Sequence, residues 1–391
     1  MYWQAGVVLM PNWHNGSSRV AVVGAGIVGA SIAYRIAARG FAVTLIDKAS
    51  PGSGASSHSF AWINASLKAP LDYHNLNRRS MDMWEQFAAK IADDGDSASV
   101  GLRWGGKMSW VTEPEGAERL ESEVRQMQAW GYPSRLISTS ELQDLEPALA
   151  VDSAVAAEYS ENEAQVEPQL VVDACVRRLS ELGGTVLTNT EVVGLSQSRD
   201  GSVKAVETTS GAIECDTVAL AAGTDVTPLA AMAGVRVPLY RSPGVVFRTN
   251  PLPRVLQSVP VIYAPASADG RQEIHIRQCS DGRMMIGEGN QESLAEDDSQ
   301  AHADDLLDRA RRFLPALNGA RAVPVPVGWR PMPLDGYPIM GFTQEAPNLY
   351  IALTHSGVTL APLISQLSML EICDGTAVDA VLSPYRLERF S

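Results

Sequence analysis

The stretch from Arg19 to Asp47 constrains the fold more than any other part of the chain. An apolar, valine-rich run ends at Gly24 and predicts a buried strand, because it is too short for a helix. The motif Gly-Ala-Gly-Ile-Val-Gly, which begins at Gly24, then predicts a tight turn into a helix that ends near Gly40. A second apolar run follows and ends on Asp47. Strand, glycine turn, helix, strand and acid in this order are typical of a dinucleotide-binding unit.

Each glycine of the motif has a physical role. Gly24 allows the tight turn, Gly26 lets the backbone approach a pyrophosphate, and Gly29 lets helix and strand pack closely. The phosphates would lie at the positive end of the helix, and the Asp47 carboxylate would accept hydrogen bonds from ribose hydroxyls. The motif leaves FAD and NAD open, and a plain glycine turn is the alternative. The candidate cofactor-binding residues of this unit are Gly24, Ala25, Gly26, Ile27, Val28, Gly29, Asp47 and Lys48.

The size and composition of the chain exclude several classes of protein. Its 391 residues allow two domains, and 45% hydrophobic with 19% charged residues are ordinary for a globular protein. No apolar run approaches the ~20 residues of a membrane span. The net charge of −14 argues against nucleic acid or an anionic membrane as a partner. Residues 1–18 lack the pattern of a signal peptide, and we expect a disordered leader there.

The cysteines indicate the redox environment. Cys175, Cys215, Cys279 and Cys373 are scattered along the chain and form no CxxC pair. This pattern is typical of a reduced protein without a structural metal. We therefore expect a cytoplasmic location and no metal site.

The loop that follows Asp47 consists almost entirely of small residues. It runs from Gly52 to Trp62 and cannot be a packed helix. One interpretation is a flexible surface linker. The other is a second backbone clamp that passes close to a large planar ligand, where bulky side chains would clash. Under the second interpretation the candidate cofactor-binding residues are Gly54, Ala55, Ser56, Ser57 and His58.

The remaining chain combines an α/β rhythm with a region of antiparallel character. Strand-like runs between 235 and 287 are separated by proline and Asp-Gly turns, which predicts an antiparallel sheet. Elsewhere helical and strand patterns alternate. Helices are predicted at 71–91, 114–130 and 168–182, and strands at 101–110, 185–188, 191–195 and 217–223.

Short motifs near the C-terminus carry further functional signals. They are Gly-Trp-Arg-Pro at 328–331, Asp-Gly at 335–336 and His-Ser-Gly-Val-Thr at 355–359. The last of these precedes a predicted helix, whose first amides have no partner within the helix and would suit a negative charge on a ligand. The alternative is a plain helix cap formed by Thr354 or Ser356.

In this order and spacing, these motifs resemble the FAD-dependent D-amino acid oxidase superfamily, nearest the glycine oxidase, sarcosine oxidase and D-amino acid dehydrogenase branch. The resemblance runs from Arg19 to about Leu370 and includes the loop 52–57 and the strand 218–223. It implies an α/β fold in which a Rossmann-like FAD-binding domain of the GR2 type carries an inserted antiparallel α+β substrate domain. The FAD-binding domain would comprise 19–90, 150–235 and 325–391, and the substrate domain 91–149 and 236–324.

The resemblance also implies FAD as the cofactor, held without a covalent bond. A nicotinamide enzyme needs neither a second glycine clamp nor a last helix that opens with glycine. Because the chain has one GxGxxG motif, we expect the substrate itself to donate the hydride. A covalent link at His58 is the alternative, since dimethylglycine dehydrogenase-like relatives carry a flavin-bonded histidine near this position. The further candidate cofactor-binding residues are Val193, Ala222, Gly223, Gly328, Arg330, His355, Ser356, Gly357, Val358 and Thr359.

Arg330 is the main candidate for substrate binding. In glycine oxidase-like relatives the matching arginine binds the substrate carboxylate, and a guanidinium can hold a carboxylate through two parallel hydrogen bonds. A surface ion pair is the alternative. Arg277, as a second cation, would suit a dicarboxylate such as iminodiacetate. Four residues of the predicted inserted sheet would line the opposite wall, although sheet packing explains them equally well: Tyr240, Tyr263, His275 and Arg277. The candidate catalytic residues are Arg330, His355, Arg277, Tyr263 and Tyr240.

The resemblance predicts oxidation of the C–N bond of a small amino acid or secondary amine, such as glycine, sarcosine, a D-amino acid or an iminodiacetate-like compound. Hydride transfer to flavin N5 would give an imine that hydrolyses to an oxo acid. Oxygen or a quinone would accept the electrons, and an oligomer is compatible with the sequence. The alternatives are oxidation of a 2-hydroxy acid or glycerol 3-phosphate, an FAD-binding subunit of a hetero-oligomeric amine dehydrogenase, and an NAD-linked dehydrogenase.

Overall fold

Nine α-helices occur in the part of the chain that the structure describes, a computed structural model covering residues 18–151, 154–266, 272–289 and 295–391. The leader expected at 1–18 lies outside these residues except for Ser18. None of the helices within these ranges is long and apolar enough to cross a membrane. The helices are α1 (Ile27–Ala38), α2 (Leu71–Ile91), α3 (Pro114–Ala129), α4 (Thr139–Leu145), α5 (Pro168–Glu181), α6 (Val226–Ala231), α7 (Gln300–Phe313), α8 (Gly357–Asp374) and α9 (Asp379–Leu382).

The strands of the described residues are given in two groups, before and after α6. The first group is β1 (Arg19–Val23), β2 (Ala42–Ile46), β3 (Trp62–Ile63), β4 (Arg103–Trp104), β5 (Lys107–Val111), β6 (Ser134–Ile137), β7 (Ala156–Ser160), β8 (Ala164–Gln165), β9 (Thr185–Leu187), β10 (Val192–Gln197), β11 (Val203–Thr208), β12 (Gly211–Glu214) and β13 (Thr217–Leu220). The second is β14 (Leu239–Gly244), β15 (Val246–Thr249), β16 (Val261–Ala264), β17 (Ile274–Gln278), β18 (Met284–Glu288), β19 (Ala322–Pro324), β20 (Gly328–Pro333), β21 (Ile339–Phe342) and β22 (Leu349–Leu353).

A six-stranded sheet in the order β21-β22-β13-β1-β2-β9 contains the N-terminal glycine unit. All neighbouring pairs are parallel except β21 with β22. Helices α1 and α8 cover one face, where Ile32 and Ile36 of α1 share a core with Leu363 of α8 and Val22 of the sheet. The predicted Rossmann-like α/β arrangement is therefore confirmed.

A second sheet of eight strands, in the order β19-β15-β18-β17-β16-β5-β7-β6, forms the other large layer. Its pairs are antiparallel apart from β5 with β16. Leu306 and Ala310 of α7 pack with Ile262, Ile276 and Ile286 of the sheet, so that α7 covers one face. This is the antiparallel sheet that the sequence predicts between 235 and 287.

Two features differ from the expected domain boundaries. Strand β7 lies in the range 150–235 assigned to the FAD-binding domain, yet it pairs in the eight-stranded sheet between β5 and β6. Strand β20 of the range 325–391 pairs with β14 of the range 236–324, and together they form a separate two-stranded ribbon. These pairings arise because the chain passes between the six-stranded and the eight-stranded sheet more often than a single inserted domain would require. The division into two domains stays a prediction.

The continuous strand predicted at 101–110 is interrupted. Gly105 and Gly106 have φ values of +142° and +86°, and they separate β4 from β5. A Cβ built on Gly105 would lie 2.3 Å from the carbonyl oxygen of Ser258, so the chain can turn here only because this residue is glycine.

A buried ion pair joins three strands of the eight-stranded sheet. Lys107 Nζ on β5 lies 2.6 Å from Glu158 Oε2 on β7, and Ser134 of β6 donates to Glu158 Oε1 at 2.7 Å. Burial alone would raise the pKa of Glu158, but the Lys107 ammonium and the donated hydrogen bonds lower it to about 2. Glu158 is therefore charged at neutral pH, and the stability it contributes is lost progressively as the pH falls from about 4.5 to about 2.

We expect Glu158→Gln to lower the apparent free energy of unfolding by about 3 kcal/mol, because it leaves the Lys107 cation buried without a counter-ion. Urea denaturation followed by circular dichroism measures this change. The double variant Lys107→Met/Glu158→Leu removes both charges and should recover most of the loss. A double variant that is no more stable than Glu158→Gln would contradict this account.

Candidate active site

One large cavity of about 1050 Å³ brings together the N-terminus of α1, the small-residue loop, the start of α8 and the β14–β20 ribbon. It is at the upper end of the ~300–1,000 Å³ typical of ligand pockets, so it has room for a dinucleotide together with a small substrate. Most of the predicted site residues line it: Gly24, Gly26, Ile27, Val28, Asp47, Lys48, Gly54, Ala55, Ser56, His58, Ala222, Gly223, Tyr240, Tyr263, Gly328, Arg330, His355, Ser356, Gly357, Val358 and Thr359.

The glycine turn at the start of α1 is sterically fixed. Gly24 has a φ of +100°, and a Cβ on it would lie 2.6 Å from the carbonyl oxygen of Ala221, which follows β13. A Cβ on Gly29 would lie 1.8 Å from the Gly24 carbonyl oxygen. Side chains at these positions would push α1 away from the sheet. Gly29 acts through this packing and does not itself line the cavity.

Polar groups surround the turn on the cavity side. The Asp47 carboxylate accepts hydrogen bonds from the backbone N–H groups of Ala25 at 2.7 Å and Ala49 at 2.8 Å. It keeps further lone pairs for a ligand, since an ionised carboxylate has about four acceptor sites. The N–H of Ile27, the first residue of α1, donates to Ser56 Oγ at 3.0 Å, which ties the small-residue loop to the helix.

The start of α8 faces the same cavity. The helix begins at Gly357 after Ser356, and no side chain caps it. The Ser356 hydroxyl is instead hydrogen-bonded to the Tyr73 hydroxyl at 2.8 Å, and Thr354 Oγ1 is buried without a partner. The plain cap considered for Thr354 or Ser356 is thus not formed. The first amides of α8 are available to a ligand, and their partial positive charge favours an anion.

The small-residue loop and strand β20 meet at the cavity. A Cβ on Gly328 would lie 2.5 Å from the Cβ of His58, so only glycine allows this contact. The imidazole Nδ1 of His58 lies 3.0 Å from the Gly54 carbonyl oxygen and 3.0 Å from Ser57 Oγ. The loop is therefore a packed part of the cavity wall. A covalent bond from His58 to the cofactor stays a prediction.

Arg330 lies on the ribbon, opposite Ser242 of β14. Its guanidinium passes over Gly244, where an added Cβ would come within 2.9 Å of Nε, and Nη1 donates to Ser242 Oγ at 3.4 Å. Burial lowers the pKa of Arg330, although Tyr263 and Tyr240 counteract this, and a guanidinium stays charged in proteins. The cavity therefore holds a fixed, desolvated cation.

Aromatic rings form the wall beside Arg330. Tyr263 and His275 stack with centroids 5.5 Å apart, and Trp62 lies 5.1 Å from Tyr263. Tyr240 stands at the cavity mouth and is 43% exposed. Burial, aided by nearby cations, lowers the pKa values of His275 and His355 to about 3. Both imidazoles are neutral at physiological pH and are weak bases.

Two predicted residues lie away from the cavity. Arg277 is 1% exposed, and its guanidinium pairs with the Glu167 carboxylate at 2.8 Å. Arg277 follows His275 by two residues on β17, and Glu167 directly precedes α5. Val193 is 55% exposed, whereas its neighbour Val192 is buried and lines the cavity. Adjacent strand residues point to opposite faces, so Val192 and not Val193 faces the cavity, and a cofactor contact of Val193 stays a prediction. Ala25 and Ser57 also do not line the cavity, although both contact residues that do.

The sequence analysis missed several lining residues, of which Lys68 is the most informative. It lies in the loop before α2, and its ammonium donates to Asn77 Oδ1 at 2.8 Å. It is the only lysine or arginine between Lys48 and Arg78. The available signal was an isolated cation in a small-residue loop, but the direction in which the Lys68 side chain points depends on long-range packing.

The fold and the cavity are typical of a dinucleotide-binding protein in which two helix N-termini and the Arg330 guanidinium line one site. The chain belongs to the FAD dependent oxidoreductase family, because the sequence model of that family matches residues 19–368. This confirms the predicted family and the choice of FAD.

Individual relatives match nearly the whole chain. Glycine oxidase of Geobacillus kaustophilus is 26% identical over 379 residues, covering 95% of this chain and 96% of the relative. An opine oxidase subunit of Agrobacterium tumefaciens is 28% identical over 378 residues, covering 95% of this chain and 97% of the relative. The crystal structure of the Geobacillus glycine oxidase superposes with a TM-score of 0.80 at 25% identity, covering 95% of this chain and 99% of that one.

We expect Gly29→Ala to reduce the FAD content of the purified protein, because the added methyl group overlaps Gly24 and displaces α1 from the turn. The ratio of flavin to protein absorbance measures this. Gly194→Ala, where a Cβ meets Glu207 at an ordinary 3.4 Å, is the matched control.

Asp47→Ala adds no atoms to the packed turn and should also weaken FAD binding to the apoprotein, by roughly 10-fold. If both Gly29→Ala and Asp47→Ala retain the flavin content and affinity of the wild type, the α1 turn does not hold the cofactor.

Proposed function

We propose that the protein oxidises the C–N bond of a small amino acid or secondary amine that carries a carboxylate. The single observation that carries this proposal is Arg330, a partly buried guanidinium in the same cavity as the two helix N-termini. The names of the relatives, a glycine oxidase and an opine oxidase subunit, agree with such substrates. FAD, when bound, supplies the acceptor for a hydride from the substrate carbon.

Different residues of the protein would bind the cofactor and stabilise the charge that develops on it. The turn at Gly26 and the Asp47 carboxylate would hold the phosphate and ribose part of the cofactor. The amides at the start of α8, from Gly357 onward, would stabilise the negative charge that develops on reduction. Both groups are held in place by the fold itself, so they need little rearrangement at the moment of reaction.

Arg330 would bind the substrate carboxylate and orient the rest of the molecule. Ser242 steadies the guanidinium, and the ring pair of Tyr263 and His275 beside it excludes water from this part of the cavity. A charge-assisted pair in such a desolvated place is stronger than one at the surface. The substrate carbon would then be held in one position relative to the cofactor.

Two histidines of the cavity, His275 and His355, are unsuited to act as strong bases. Since the pKa values of His275 and His355 are about 3, neither imidazole removes a proton from an ammonium group efficiently. We infer that the amine binds in its neutral form and that hydride loss needs no side-chain base. This favours amines over 2-hydroxy acids, whose hydroxyl proton is much harder to release.

The electron acceptor, location and assembly belong to the proposal as well. We infer that oxygen or a quinone reoxidises the cofactor. The four cysteines are all buried and free of disulfides, which supports a reducing, cytoplasmic environment. The similarity to a subunit of opine oxidase supports, as a second candidate, an FAD-binding subunit that needs a partner for full turnover.

Anaerobic titration of the purified yellow protein tests the proposal. We expect glycine, sarcosine, D-alanine or iminodiacetate to bleach the flavin absorbance, while the hydroxy acids glycolate and lactate do not. Bleaching needs no electron acceptor, so it also works for a subunit separated from its partner. Bound flavin that no amine bleaches, or that hydroxy acids bleach instead, would refute the proposal.

We expect Arg330→Met to lower the rate of bleaching at limiting substrate by roughly 100- to 1,000-fold, because two charge-assisted hydrogen bonds to the carboxylate are lost. Stopped-flow absorbance measures this rate. Arg241→Met on the same ribbon is the matched control, since that exposed side chain lies over Trp329 and does not line the cavity. Equal rates for both variants would remove Arg330 from the substrate site.

A further inference from the structure

Lys68 is held with its ammonium group at the cavity. Its Nζ donates to Asn77 Oδ1 at 2.8 Å, and Asn77 Nδ2 in turn donates to the Tyr73 carbonyl oxygen at 2.8 Å. Asn77 is fully buried on α2, so the amide that receives the lysine is itself fixed. Lys68 and Tyr73 both line the cavity. The ammonium is thus positioned by the fold and is not a mobile surface group.

The charge of Lys68 is uncompensated within the described residues. Lys48, at the other end of the cavity, pairs with Asp225 at 2.6 Å, and Lys107 pairs with Glu158. Lys68 has instead a neutral amide as its partner. Burial lowers the pKa of Lys68 to about 7, and Glu163 counteracts this from behind the wall.

Glu163 is committed to other partners. It is fully buried and does not line the cavity. Its carboxylate accepts hydrogen bonds from Trp62 Nε1 at 2.6 Å, from the Tyr132 hydroxyl at 2.7 Å and from Ser66. Burial raises the pKa of Glu163 itself to about 7, so Glu163 is only partly ionised at neutral pH, and it forms no contact ion pair with Lys68. A ligand anion in the cavity could complete that pair.

Lys68 and Arg330 belong to the same compartment of the cavity. Both cations lower the pKa of His355, so its imidazole feels the two charges at once. Glu273 also lines the cavity, but its charge acts on Tyr263 and not on Lys68. The compartment therefore offers two cations beside a neutral imidazole. Both side chains are partly buried, and a ligand with two anionic groups would offset the repulsion between the two charges.

We propose that Lys68 binds a second carboxylate of the substrate, and that the preferred substrates are secondary amines with one carboxylate on each side of the nitrogen. Arg330 takes one carboxylate and Lys68 the other, an inference that rests on the proposed function of the site. The second cation, which the sequence analysis expected at Arg277, is thus Lys68. Lys68 is a specificity-determining residue, since a substrate with one carboxylate leaves it unpaired.

The products follow from the substrate class. The carbon–hydrogen bond beside the nitrogen breaks, its hydride reduces FAD, and the N–H proton passes to solvent. Water then adds to the resulting C=N bond, and the C–N bond breaks. An amino acid and a 2-oxo acid are released, so the enzyme would split one iminodicarboxylate into two acids. The reaction class that supplies this substrate is the reductive joining of those two acids.

Binding of two oxidation-resistant probes tests the proposal. Oxydiacetate carries two carboxylates around an ether oxygen, and methoxyacetate carries one. Isothermal titration of the flavin-loaded protein should show tighter binding of oxydiacetate by the wild type. We expect Lys68→Met to weaken oxydiacetate roughly 10- to 100-fold and to change methoxyacetate less than 2-fold, because one charge-assisted interaction is lost. Lys90→Met, an exposed lysine on α2, is the control for lost charge.

The outcomes separate this inference from the proposed function. Equal affinity of the wild type for the two probes, or no binding of either, overturns the role of Lys68 even if Lys68→Met does not fold. Equal weakening of both probes, or loss of FAD from Lys68→Met, overturns it too, since Lys68 would then serve the cofactor or the cavity as a whole. Anaerobic bleaching by amines decides the proposed function independently of all these results.

Discussion

The convergence of two helix N-termini on one cavity is the constraint on which the rest of the structure depends. Helix α1 follows β1 and helix α8 follows β22, and these strands run parallel on either side of β13. Ligands of parallel sheets bind where the strands end and the helices begin. Gly357, at the start of α8, lies so close to α1 that an added Cβ would be 3.2 Å from Val28. Two positive helix ends therefore face one cavity.

The remaining elements complete the wall of the cavity that begins at the six-stranded sheet. The small-residue loop and the β14–β20 ribbon close the cavity where Gly328 passes His58, and the ribbon carries Arg330. The chain as a whole bears a net charge of −14, so an anionic substrate finds attraction only at local cations. In our proposal Arg330 and Lys68 provide that attraction, while His355, whose pKa burial and both cations lower, stays neutral.

The sequence was sufficient for what depends on local chemistry. The α1 turn, the FAD family and the position of Arg330 on the cavity follow from glycine spacing and short motifs. Features that depend on register or distant packing were not accessible. The side of the strand that Val192 and Val193 face depends on a strand phase that the sequence does not reveal, and Arg277 meets Glu167 through a contact 110 positions away in the chain. Lys68 was missed for the same reason, since Asn77 and the cavity define its direction only after folding.

A crystal structure of the protein grown with FAD tests the central claim most directly. The account predicts that the ADP half of FAD lies at the α1 turn beside Asp47, and that its isoalloxazine ring lies between the start of α8 and Arg330. A structure in which the ring is remote from both, or in which FAD occupies another surface of the protein, would contradict it.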